Sequence, residues 1–225
     1  MSPILYIIIL AIIIIFSAVM TVLWRNDKED LKNLISTSVI NFVIIYLAVM
    51  SFSLNENVST LFEGLILLGL VAGILADIFF CYPTQEKQKL VLVAKIVSYF
   101  MFLIAIVYIT TVTWIYGFAL GILLTILASF SDKIFKIDTN KFKWMFPIYA
   151  IILGTVWGQC VFQMILGAFT LINLLALIAF TVLLFADLIW LYSIFGKKEL
   201  KNLQKIYSIL FYLSQVIIAS LIFFV

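Results

Sequence analysis

Eight apolar stretches, each about long enough to cross a bilayer, follow one another along this chain with only short polar breaks. A membrane span takes roughly 20 apolar residues, because an α-helix rises 1.5 Å per residue against a hydrocarbon thickness of about 30 Å. The stretches cover 3–24, 34–54, 59–82, 89–110, 112–130, 144–166, 168–195 and 204–225. The sixth and seventh are separated by Gly167 alone. Hydrophobic residues make up 66% of the chain, more than a soluble domain of this length needs. The expected fold is therefore all-α: one transmembrane domain over 1–225, a bundle of about eight helices. The first stretch is too long for a signal-peptide core and is expected to remain as a helix.

The charges test this division. Basic residues fall in alternate connections: Arg25, Lys28 and Lys32; Lys87 and Lys89; Lys133, Lys136, Lys141 and Lys143; Lys197, Lys198, Lys201 and Lys205. The connections near 55–58, 111 and 167 carry none. The positive-inside rule makes the basic connections cytoplasmic and puts both termini on the other side. Trp24, Tyr82, Trp144 and Tyr192 stand near span ends, as in an interfacial aromatic belt. The basic 131–143 connection, with Ile134, Phe135 and Phe142 interleaved, is expected to lie on anionic headgroups. Abundant Ile, Lys, Phe and Asn suit an AT-rich bacterial genome, and the expected location is a bacterial plasma membrane.

The net charge of +3 says little about nucleic acid, and no nucleic-acid partner is expected. The chain has no histidine, which removes the usual proton shuttle and the commonest metal ligand. Cys81 and Cys160 belong to no CxxC pair, and the topology places them at different depths, so neither a zinc site nor a disulfide is expected. No metal or nucleotide motif is present, and no cofactor is expected.

Against this background two aspartates stand out. Asp77, in Ala76-Asp77-Ile78-Phe79-Phe80-Cys81-Tyr82, and Asp187, in Ala186-Asp187-Leu188-Ile189-Trp190-Leu191-Tyr192, lie inside spans. A carboxylate within hydrocarbon is costly and is a functional-site candidate by default. The motifs are four spans apart, so they suggest a same-direction 4+4 tandem repeat with both acids at similar depth. Asp77 and Lys95 fall about 9 Å from the cytoplasmic ends of their helices and Asp187 about 13 Å, with Tyr212 and Gln215 near the same level. Gly69, Gly73 and Asp77 share one helix face, so Asp77 should point into the bundle. The two carboxylates are expected to face a shared polar cavity, with Lys95 beside Asp77. The plain alternatives are a structural Asp77–Lys95 ion pair and interhelical hydrogen bonding by Tyr212 and Gln215. Gln159, Gln163 and Asn173 lie toward the outer side as packing contacts.

At these residues the chain resembles the lysoplasmalogenase (YhhN-like) family of multi-span membrane proteins. Leu75-Ala76-Asp77-Ile78-Phe79 is similar to the family's first Asp motif, and Leu184-Phe185-Ala186-Asp187-Leu188 to its second. Phe211-Tyr212-Leu213-Ser214-Gln215 resembles its final helix, and Pro147-Ile148-Tyr149 the start of a middle helix. The chain departs from the family in having Ala before each Asp, and Ile106 where the family often has His. The resemblance implies hydrolysis of the vinyl ether bond of a lysoplasmalogen, a single-chain phospholipid drawn from the bilayer. Such chemistry needs a protonated carboxyl as acid and an ionised one to stabilise the cation and activate water. Asp187, flanked by Leu183, Leu184, Trp190 and Leu191, is the expected acid; Asp77 is the expected base; Lys95, Tyr149, Tyr212 and Gln215 are expected to contact substrate. A proton-coupled transporter and a non-catalytic lipid-binding protein are the alternatives. The Gly-x-Gly-Asp signature of intramembrane aspartyl proteases is absent.

Overall fold

The computed structural model describes residues 3–24, 30–55, 59–82, 85–130, 144–195 and 203–225. Among the described residues there are eight helices: α1 (Pro3–Trp24), α2 (Asp30–Leu54), α3 (Thr60–Phe80), α4 (Gln85–Ile109), α5 (Trp114–Ser129), α6 (Met145–Leu166), α7 (Leu171–Phe195) and α8 (Leu203–Phe224). Six of them, α2, α3, α4, α6, α7 and α8, are long and apolar enough to cross a bilayer. The Ile8–Trp24 part of α1 and the whole of α5 are apolar but shorter. The chain is a polytopic helical membrane protein. Most of the basic connections, including the 131–143 segment expected on headgroups, lie outside the described residues.

The break between the sixth and seventh stretches falls at Gly167. Its N–H closes the last turn on Gln163 O, and a Cβ there would come within 2.6 Å of that oxygen. The chain then restarts at Thr170, whose hydroxyl accepts from Asn173 N at 3.3 Å, so α7 has a side-chain N-cap. Asn173 Nδ2 also donates to Ala168 O at 2.7 Å. One glycine followed by a cap is enough to turn what reads as one long apolar run into two antiparallel helices.

α8 forms the centre, packing against α7, α2, α1 and α3. At its C-terminal end Asn55 Nδ2 lies 3.3 Å from both Ile222 O and Phe223 O, satisfying carbonyls that a helix end leaves without partners. Tyr6 stacks on Phe223 with ring centroids 4.0 Å apart and bonds Ser51. α5 instead packs mainly on α6, through glycines on both helices. A Cβ on Gly154 would sit 2.8 Å from Gly121 Cα, and one on Gly117 2.8 Å from Thr155 O. The backbones touch, as small residues allow where lipid removes any hydrophobic drive to associate. Gln159 and Gln163 tie α6 to the 110–112 turn, bonding Thr110, Val112 and the Thr111 N–H, so they are the packing contacts expected.

The element packing follows the expected four-plus-four relation in most pairs. α3 packs on α4 as α7 does on α8, and α2 on α8 as α6 does on α4. The side of α8 taken by α1 has no comparable partner on α4 from α5.

Candidate functional site

The polar residues near the end joined by the basic connections sort into two groups. The first is built on Asp187, on the inward face of α7 with Leu183 and Trp190. Lys95 of α4 forms a salt bridge to its Oδ1, and the Tyr99 hydroxyl, one turn later on α4, donates to its Oδ2. Lys95 Nζ also donates to Tyr99 OH at 3.3 Å. Asp187 and Lys95 are 1% and 0% exposed, so the whole charge pair is withdrawn from both lipid and water. Four rings surround the ammonium: Trp190 with its centroid at 4.8 Å, Tyr207 and Phe211 at 5.1 Å, and Tyr99 at 5.8 Å. Their faces supply the electrostatic attraction that a single carboxylate in hydrocarbon would have to supply alone. Tyr149 of α6 completes the group. Its ring centroid is 5.8 Å from that of Tyr99 and 6.1 Å from that of Trp190, and its buried hydroxyl is near Asp187 without forming a well-aligned hydrogen bond.

The second group is built on Asp77, fully buried near the end of α3. Tyr212 of α8 donates to its Oδ2, and Asn41 Nδ2 of α2 lies 3.5 Å from the same oxygen. The Tyr212 hydroxyl is 3.4 Å from Thr37 Oγ1, which in turn is 3.6 Å from Cys81 Sγ. Gln215, one turn further along α8, faces Gly73: a Cβ on that glycine would meet Gln215 Oε1 at 3.5 Å and Ser98 Oγ at 3.4 Å. The expected close packing along Gly69 and Gly73 is present, with Gly69 against Phe102.

The sequence-based pairing is thereby corrected. Lys95 was expected beside Asp77; it pairs with Asp187. Residues one apart on a helix diverge by about 100°, so Phe211 faces Lys95 while Tyr212 faces Asp77, on different sides of α8. The two groups follow the repeat relation with the halves exchanged. Each aspartate, on the third helix of its half, takes a tyrosine from the fourth helix of the other half. The match breaks one turn before the tyrosine. Lys95 precedes Tyr99, whereas Ser208 precedes Tyr212 and turns its hydroxyl onto Gln204 O at 2.8 Å.

A cavity of about 440 Å³ opens at this end between α5, α6 and α7, with Leu203 of α8 at one edge. It is lined almost wholly by apolar side chains, and neither aspartate reaches it. The shared polar cavity expected between the carboxylates is not what is found here. Asp187 faces α4, so its neighbour Leu188, turned by about 100°, lines the cavity instead. Tyr149 is the expected site residue that does line it, with its ring forming part of the wall and its hydroxyl toward Asp187. Ile106 is buried in the apolar core.

Tyr99, Asn41 and Thr37 were missed in the sequence. Tyr99 falls one turn after Lys95 on the same face, and Asn33, Thr37 and Asn41 form a polar stripe at steps of four through an otherwise apolar span. Both were detectable as helical-period polar residues. Comparison with protein-family models, curated proteins and solved structures finds no match to this chain.

Proposed function

We propose that this protein is an intramembrane hydrolase of a single-chain ether phospholipid, cleaving a vinyl ether bond with its two buried aspartates, in a bacterial plasma membrane. The observation that carries the reading is the Asp187–Lys95–Tyr99 group with Tyr149 between it and an apolar cavity. A costly intramembrane charge pair thus stands one side chain away from space for a hydrocarbon chain.

The location of Lys95 reverses the roles expected of the aspartates. Lys95 lies against Asp187 and not against Asp77, so Asp187 takes the role of stabilising the cation and Asp77, in the separate group across α8, that of the more remote proton source. A proton passes from the acid to the β-carbon of the vinyl ether, leaving an oxocarbenium-like cation. Asp187 stabilises that cation and accepts a proton from the attacking water, which adds to the carbon bearing the ether oxygen. The hemiacetal collapses to a fatty aldehyde and the freed glycerophospho-alcohol. Asp187→Asn and Asp77→Asn should each abolish the reaction. The direct test is aldehyde release from a lysoplasmalogen by the purified full chain in detergent. Release lost in both Asp variants supports the reading, and no release by the parent chain overturns it.

A second reading has its own support. The Lys95–Asp187 pair is already satisfied by Tyr99 and four rings, as a purely architectural pair would be. The protein would then bind lipid without cleaving it. Binding of an uncleavable lysolipid by a chain that releases no aldehyde would select this alternative.

A further inference from the structure

We propose that α3, α4 and α8 enclose a buried water site, in which Gln215 and Ser98 hold a water molecule in the space left by the missing side chain of Gly73. The proposal does not rest on the hydrolase reading. It concerns how an amide is satisfied inside the bundle, whatever the protein does to lipids.

The Gln215 side chain is 2% exposed, and among the described residues its Nε2 has no hydrogen-bond partner. A buried N–H without a partner is costly, and within a bilayer no outside solvent can reach it. The amide faces Gly73. A Cβ built there would lie 3.5 Å from Gln215 Oε1 and 3.4 Å from Ser98 Oγ, and no atom of another helix comes closer. The same Cβ built on Gly69, one turn earlier on α3, runs into the Phe102 ring. This face of α3 is therefore closed at Gly69 and open at Gly73.

Water suits this space in size and in polarity. A gap that admits a methyl is about what one water takes, and a buried water needs two or more polar partners. A methyl carbon at these distances only touches the two oxygens. A water standing slightly further from the Gly73 backbone comes within hydrogen-bond reach of both. Ser98 is fully buried and gives its proton to Gly69 O at 2.7 Å, so its oxygen is left to accept. A side-chain amide has the same outline either way round, and a water both donates and accepts, so it serves whichever end faces it. With Nε2 turned to Gly73, the water accepts from Nε2 and donates to Ser98 Oγ. The site also has a place among the polar groups. Gly73 stands one turn before Asp77 on α3, Gln215 one turn after Tyr212 on α8, and Ser98 next to Tyr99 on α4. The water thus ties α3 and α8, which carry Asp77 and Tyr212, to α4, which carries Lys95 and Tyr99.

The test is the sign of one substitution, read as the thermal midpoint of the full chain in detergent. Alanine is a better helix former than glycine, and at Gly73 its methyl touches its neighbours without overlapping them. Were the space dry, Gly73→Ala would raise the Tm. With a water there, the methyl expels it and strands the Gln215 amide, so Gly73→Ala should lower the Tm by about 2–4 °C. In a Gln215→Met background, which has no amide to strand, the same substitution should raise the Tm instead. Gly69→Ala, set against Phe102, is the steric control and should lower the Tm equally in both backgrounds. A rise or no change for Gly73→Ala in the parent chain would overturn the proposal. So would an equal loss in both backgrounds, since the effect would then be steric. A structure of the parent chain at a resolution that shows ordered water supplies a second measurement and needs no variant to fold. A density peak hydrogen-bonded to both Gln215 and Ser98 supports the site, and its absence overturns it.

Discussion

Lys95 is the residue on which the polar interior turns. Its ammonium holds Asp187 from one side while the Tyr99 hydroxyl holds it from another, and rings of α4, α7 and α8 close around it. Buried pairs of this kind gain little net stability, yet breaking one leaves an uncompensated charge that costs about 3–5 kcal/mol. Lys95→Met should therefore destabilise the bundle by about that much, measured as the thermal midpoint in detergent. Adding Asp187→Leu to Lys95→Met should restore most of the loss, since no stranded charge remains. If the double variant is no better than Lys95→Met alone, the pair is not the unit described here. Tyr99→Phe, which removes one donor from a buried carboxylate, should cost about 1–3 kcal/mol.

Among the elements, α5 is the least embedded and depends most on a single partner. It reaches α6 because Gly117 and Gly121 on α5 and Gly154 and Gly158 on α6 let the two backbones meet. Gly154→Val should force the pair apart, because the added carbons would meet Gly121 Cα and Leu124. The expected cost is about 1–3 kcal/mol from overpacking. It should appear as faster proteolysis of the 131–143 connection than in the parent chain, while the α3–α4 hairpin keeps its resistance. Equal protection of that connection in both proteins would show that α5 does not rely on the glycine contact.

For the whole molecule, the basic residues in alternate connections predict that both termini lie on the non-cytoplasmic side. Single cysteines placed at Asn57 and Lys198, in a background lacking the buried Cys81 and Cys160, should react with an impermeant maleimide from opposite faces. Reaction from the same face would remove the orientation. Of the Trp and Tyr residues expected at the interfaces, Trp24, Tyr82 and Trp144 are exposed at helix ends, whereas Tyr192 is half-buried and lines the cleft between α5, α6 and α7.

Much of this arrangement was legible in the residues alone. Helix number, the all-α class and the placing of both aspartates inside spans follow from local quantities. They depend on the length of an apolar run, the cost of a buried charge and the sign of the charges at each break, and each is a property of a short segment. What the sequence left open was partnership. Whether Lys95 meets Asp77 or Asp187 depends on the rotation of α4 about its axis and on which helix packs against it, and similar depth suits either pairing. The exchange of tyrosines between the halves is of the same kind, since Tyr99 and Tyr212 could as well have served the aspartate of their own half. The cleft is less visible still, for it is a gap left where α5 leans on α6 and away from α7, and no residue encodes a gap. Hydrophobicity acts on each segment separately and so is written along the chain. In a bilayer it no longer drives one helix toward another, so pairing is left to shape, hydrogen bonds and buried charge, which exist only once the helices are side by side.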